Sequence, residues 1–126
     1  MRVIDLHCYP NTQPWIDCQG PYVEALARYW KREWRAKSEP EVAQEFRDHG
    51  IQACLVALDL TTTLNTPPCS NDYVAAMRDR NSDCVIAAWG AVEPALGRAA
   101  IDATRHAVRE LKMIGFHFHP IMQHFS

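Results

Sequence analysis

Four short apolar segments recur along the chain at nearly equal spacing, and that spacing limits the fold more than any other feature. They are Val3-Ile4-Asp5-Leu6-His7-Cys8, Ala53-Cys54-Leu55-Val56-Ala57-Leu58, Val85-Ile86-Ala87-Ala88-Trp89-Gly90 and Ile114-Gly115-Phe116-His117-Phe118-His119. Ala53 to Cys84 is 31 residues, and Cys84 to Ile114 is 30. Each segment is short and mostly apolar on both faces, as a strand buried in a parallel sheet must be.

Helical patterns fill the intervals. Ser38-Glu39-Pro40-Glu41 is a capping box, with Ser38 as N-cap and Glu41 three residues on. Val42 and Phe46 then share a face, and Gly50 marks the stop. Ser70 or Asn71 caps the next helix. From about residue 94 to 112, Ile101, Thr104, Val108 and Leu111 form one stripe at helical period. The order β-α-β-α-β-α-β predicts a parallel α/β sheet with right-handed crossovers.

The first unit is longer, with 50 residues from Val3 to Ala53. The excess forms a helical insertion at about residues 10–37 within a single α/β region spanning residues 1–126. A helix is expected over residues 21–35, where Val23, Ala27, Trp30 and Trp34 line one side. Arg28, Lys31, Arg32 and Arg35 fall on the other. The basic and aromatic stretch around Tyr29, Trp30, Arg32 and Trp34 is either a grip for an anionic substrate or a solvated helix face.

Composition removes several classes. Thirteen Lys and Arg against 15 Asp and Glu give a net charge of -2 and no basic field for nucleic acid. No stretch approaches the roughly 18 apolar residues of a membrane span. Asp5 and His7 interrupt the N-terminal apolar run, so no signal peptide is expected. Cys8, Cys18, Cys54, Cys69 and Cys84 are widely spaced and contain no C-x-x-C. A reducing cytoplasm is the economical setting.

Ligands of parallel α/β folds bind beyond the carboxyl ends of the strands. There the first segment carries Asp5, His7 and Tyr9, which strict alternation puts on one face. Ile4, Leu6 and Cys8 take the other, toward helices. The fourth carries His117 and His119, which suit a metal pair or an acid/base pair. The alternatives are a hydrogen-bonded core histidine at position 7 and two partly exposed histidines at 117 and 119. Asp59, Asn65 and Glu93 also follow strand ends, where turn and helix-start chemistry would equally place them. His49 at a helix end and His106 within a helix are expected to be structural.

Ile4-Asp5-Leu6-His7-Cys8-Tyr9-Pro10 resembles the I-D-x-H-x-H opening of the amidohydrolase superfamily. Gly115-Phe116-His117-Phe118-His119-Pro120 resembles the G-F-K-x-H-P segment of its amidohydrolase-related branch, which includes aminocarboxymuconate-semialdehyde decarboxylase. The resemblance implies a TIM-type (β/α)8 barrel, of which these four strands would be the N-terminal half. It further implies a divalent metal, most often zinc, in hydrolysis or non-oxidative decarboxylation of a small carboxylated, aromatic-derived substrate. Carried onto this chain, His7 and His119 are the metal candidates. His117, His119 and Asp5 are the catalytic candidates. Tyr9, Asn65 and Trp15 are the substrate-binding candidates. Tyr9 stands where the family has its second histidine, and His117 where many relatives have Lys. An eight-stranded barrel typically needs about 250 residues, so a homo-oligomer or a missing C-terminal half is expected as partner. The rival reading is a non-catalytic half-barrel or small α/β domain that self-associates or binds a partner.

Overall fold

The computed structural model describes residues 3–125. The elements are β1 (Val3–Cys8), α1 (Gln13–Gln19), α2 (Tyr22–Trp30), α3 (Glu39–Asp48), β2 (Ile51–Val56), α4 (Thr61–Leu64), α5 (Asn71–Arg80), β3 (Val85–Trp89), α6 (Arg98–Arg109) and α7 (Pro120–Gln123). The chain is α/β, with a three-stranded parallel sheet of order β1-β2-β3. No helix among the described residues is long and apolar enough to cross a membrane.

The local signals explain the helices. Both halves of the capping box at α3 form: Glu41 N donates to Ser38 Oγ, and Ser38 N donates to Glu41 Oε2 at 2.6 Å. Gly50 takes φ +64, a left-handed geometry that lets the chain turn directly into β2. Ser70, rather than Asn71, caps α5 by accepting from Tyr73 N at 3.2 Å. The helix expected over 94–112 begins as a 3-10 turn, Pro94–Leu96. It restarts at α6 after Gly97.

Right-handed crossovers in the order 1-2-3 put α3 and α5 on one face of the sheet. Register places Cys8, Leu55 and Ala88 side by side, all buried. They join one cluster with Val42 and Ala43 of α3 and Val74 and Met77 of α5. Leu55, Val74 and Met77 are fully buried. Each such side chain contributes about 1.5–3 kcal/mol relative to exposure.

The expected insertion contains two helices, α1 and α2, rather than one. It is closed at its neck by a parallel bridge between Thr12 and Lys37 and by Lys37 N donating to Asn11 O at 2.9 Å. The buried Thr12 also accepts from Tyr73 Oη at 2.7 Å, and Thr66 Oγ1 donates to Cys18 O at 2.8 Å. α2 buries none of its residues and ends at Lys31, at φ +53, so Trp34 lies beyond it.

Three expectations are corrected. The fourth segment forms no strand among the described residues. Its pairing with the β3 side is one bridge, Gly90 with Phe116, and three backbone hydrogen bonds from Ile114 to His117. Among the described residues it has one neighbour to pair with, and Pro120 starts α7 directly after it. Second, Ile4 and Leu6 meet no helix: they are 56% and 63% exposed on an edge strand. Third, strict alternation fails in β1. Asp5 pairs with Ala53 and Cys8 with Leu55, so three steps on β1 match two on β2. The irregularity brings Asp5 and Cys8 to the same face and separates Asp5 from His7.

Candidate functional site

The sheet face opposite α3 and α5 carries an open cleft of about 270 Å³ lined by Leu6, His7, Val56, Trp89, Phe116 and His117. His7 and His117 meet there from opposite ends of the chain, with ring centroids 4.9 Å apart. The irregularity in β1 sets the approach of His7. With the ladder interrupted, His7 N donates to Asp5 Oδ1 at 3.0 Å. Asp5 is exposed and acts here as a local brace for the His7 backbone.

His117 is held differently. Its backbone N donates to Gly90 O at 2.7 Å. Its ring Nδ1 lies 3.1 Å from the carbonyl oxygen of Ala57, just past β2. A carbonyl only accepts, so Nδ1 carries the hydrogen. Burial pushes the His117 imidazole below its ordinary value, and nearby His7 and His119 press the same way against the opposing pull of the Ala57 carbonyl. A neutral ring with Nδ1–H leaves a lone pair on Nε2. That is the state of a metal-ligating histidine braced by a backbone carbonyl, and also of a general base.

His119 is committed elsewhere. Its Nδ1 accepts from Met122 N at 3.4 Å, capping α7. A neutral His119 in this pose presents Nε2–H, a donor and not a ligand. Releasing Nδ1 would uncap the helix.

Beside the histidines lies a larger cavity of about 470 Å³. Its lining is largely aromatic: Tyr9, Trp15, Tyr22, Trp30 and Trp34, together with His117 and His119. The insertion supplies most of it. Tyr9 touches His7 edge-on at 5.1 Å and stacks on Trp15 at 4.7 Å. Trp15 is 2% exposed, and its indole Nε1 has no hydrogen-bond partner. Trp15 thus reaches the cavity with its ring while its one polar atom stays buried in the protein and unpaired.

The remaining candidates lie apart. Asn65 is exposed, takes φ +54 and closes α4, and is not among the residues lining this cavity. Arg32 and Trp34 line a neighbouring cleft of about 270 Å³ with Arg35 and Lys37. Arg35 pairs with Glu41 at 3.5 Å and Lys37 with Glu45 at 2.6 Å. Glu93 is 1% exposed, with neither carboxylate oxygen hydrogen-bonded. It lines a separate 170 Å³ cavity with Asp72 and His106, which lie 3.3 Å apart. His49 caps α3, with Nδ1 2.9 Å from Glu45 O.

Two residues that the sequence did not single out shape the site. Trp89 spans the open face, its Nε1 donating to Leu6 O at 2.8 Å. Gln123 is buried and locks α7 down. Its Nε2 donates to Asp59 O at 3.1 Å and Val92 O at 3.0 Å, and its Oε1 accepts from His119 N at 2.9 Å. A polar residue one turn beyond His119 was the only available sign of the latter.

The five cysteines are free and buried. Burial pushes the thiols of Cys8 and Cys18 up to about 12 and raises Cys69 further. Protonated thiols in apolar surroundings are poor ligands and poor nucleophiles. No group of three or more His, Cys, Asp or Glu side chains among the described residues is placed to hold a metal ion. The fit to a divalent metal is therefore partial: His117 Nε2 and the His7 ring are two donors, where catalytic zinc takes three protein ligands.

No protein-family model matches the chain, and no curated protein or solved structure shows significant similarity to it.

Proposed function

We propose that this chain supplies the first β/α units of an amidohydrolase-type (β/α)8 barrel, a metal-dependent hydrolase or non-oxidative decarboxylase of small carboxylated, aromatic-derived molecules. The observation that carries this reading is the approach of the His7 and His117 rings to 4.9 Å, with His117 Nδ1 held 3.1 Å from the Ala57 carbonyl oxygen. The parallel β/α order supports it, as does the position of His7 near the carboxyl end of β1 and of His117 against Ala57, just past β2. The sequence resemblance at residues 4–10 and 115–120 supplies the chemistry. A divalent metal such as zinc would polarise a carbonyl or carboxylate, or lower the pKa of bound water. His7 and His117 would hold it, with further ligands from outside the described residues. His119 would donate Nε2–H to the substrate. Tyr9 and Trp15 would form the wall against its ring, and Asp5 would steady His7.

Calorimetric titration with zinc tests this. The expected result is one ion per chain, with binding lost in His7→Ala and in His117→Ala and retained in His106→Ala. Binding unaffected by both substitutions at the cleft would sink the reading.

A second reading is a non-catalytic half-barrel that pairs with another copy. It is favoured by the exposure of Val3, Ile4 and Leu6 along β1, which among the described residues has a neighbour on one edge only. A strictly monomeric mass in solution would count against it.

A further inference from the structure

We propose that Trp89 is the positioning residue that holds the His7 and His117 rings together, its indole acting as a strut across the open face of the sheet. The two histidines belong to segments that never pair. β1 and the segment around Gly115 are separated by β2 and β3. Something must span that width for their rings to approach to 4.9 Å.

Trp89, the last residue of β3, touches the backbone next to each of them. On one side its Nε1 donates to the carbonyl of Leu6, the residue before His7. Leu6 lies in the irregular stretch of β1, between the paired residues Asp5 and Cys8. The bond therefore anchors β1 where its ladder is interrupted, and fixes the segment that presents His7.

On the other side the indole lies against Gly115, two residues before His117. A Cβ on Gly115 would sit 2.5 Å from Cζ3 and 2.8 Å from Cε3 of Trp89, closer than real Cβ atoms come. Glycine at 115 is thus required by the indole. Hydrogen bonds from Gly90 N to Gly115 O and from His117 N to Gly90 O then lock the segment beside the ring. The indole also forms part of the cleft wall with both histidines. An indole has the needed reach and a single donor at its far end. Phenylalanine would fill much of the space but could not hold Leu6.

This inference rests on His7 and His117 being the facing pair of the proposed site, and it needs no metal. The test is the nuclear Overhauser cross-peak between the two imidazole rings in the metal-free chain, compared with Trp89→Phe. The peak is expected to fall about threefold, the inverse-sixth-power result of roughly 1 Å of added separation. The intraresidue peaks of His49 and His106 are expected to stay unchanged. An equally strong His7–His117 peak in Trp89→Phe would overturn the strut. In the wild type, the Trp89 indole N–H is expected to exchange with solvent far more slowly than that of Trp30, which is 59% exposed. Equal exchange would also overturn the proposal, even if the variant failed to fold. A strut confirmed in a chain that binds no zinc would leave this inference standing and sink the functional reading alone.

Discussion

His117 Nδ1 lies 3.1 Å from the carbonyl oxygen of Ala57, 60 residues earlier in the chain. The contact joins the segment after α6 to the residue just past β2 and decides which ring nitrogen of His117 is free. His117→Phe keeps a ring in the cleft but leaves that carbonyl without its donor. A stability loss of about 1–2 kcal/mol is expected, read as a lower urea midpoint with unchanged slope. An unchanged midpoint would mean that the bond is not formed.

Gln123 is the other link between strand ends. Its three hydrogen bonds tie α7 to Asp59, Val92 and His119. Gln123→Leu has similar bulk and cannot make them, so it should cost about 2–3 kcal/mol. It should also speed amide exchange in α7 relative to α5. Equal protection of α7 in both proteins would show that packing, not this side chain, holds it.

The core and the open surface should respond differently to truncation. Leu55→Ala removes a fully buried side chain between α3 and α5 and should cost about 3 kcal/mol. Ile121 is 81% exposed, so Ile121→Ala should fall within about 0.5 kcal/mol of wild type. Similar losses at both positions would contradict the assigned faces.

Acid should loosen the contact between α3 and α5. Arg80 donates to both oxygens of Glu39 at 2.9 and 2.7 Å, and Asn81 donates at 2.8 Å. The Arg80 hydrogen bond, chiefly, holds the Glu39 carboxyl below its ordinary value, against partial burial. The folded form thus binds its proton at lower pH than the unfolded form. The stabilisation is present above the ordinary carboxylate range and is lost as pH falls through the lowered folded value. Glu39→Gln should cost about 1 kcal/mol at neutral pH, a modest figure because Arg80 is half exposed. The gap should close in acid. A gap of equal size at pH values well below the carboxylate range would refute the ion pair.

Thiol chemistry gives a further check. With all five cysteines buried and the thiols of Cys8 and Cys18 pushed up to about 12, the folded chain should react with a disulfide reagent only after denaturant is added. Prompt reaction of the native chain would place at least one cysteine at the surface.

The sequence revealed the parts whose physics is local. β1 and the start of β3 follow from apolar runs, α3 from its capping box, and the excursion near 10–37 from a unit too long for its period. The misses are non-local. A one-residue irregularity between Asp5 and Cys8 undoes the alternation that assigned Asp5, His7 and Tyr9 to one face. Nothing nearby in sequence marks it, because its compensation is the indole of Trp89, 83 residues away. Likewise His117 and His119 look equivalent at i, i+2. They separate only because Ala57 claims one ring's Nδ1–H and Met122 the other's Nδ1 lone pair. α1 is not legible because its 7 residues are too few to repeat the spacing of its buried face, Trp15 and Cys18.

The central claim is that His117 is neutral, with Nδ1 protonated and Nε2 offered toward His7. A long-range proton–nitrogen spectrum of the histidine side chains, recorded near neutral pH without metal and again with zinc, addresses it directly. The account expects Nδ1–H and a bare Nε2 for His117 before addition, and shifts confined to His7 and His117 after it. A His117 protonated at Nε2, or zinc shifts at His106 and His124 with the cleft pair unmoved, would contradict it.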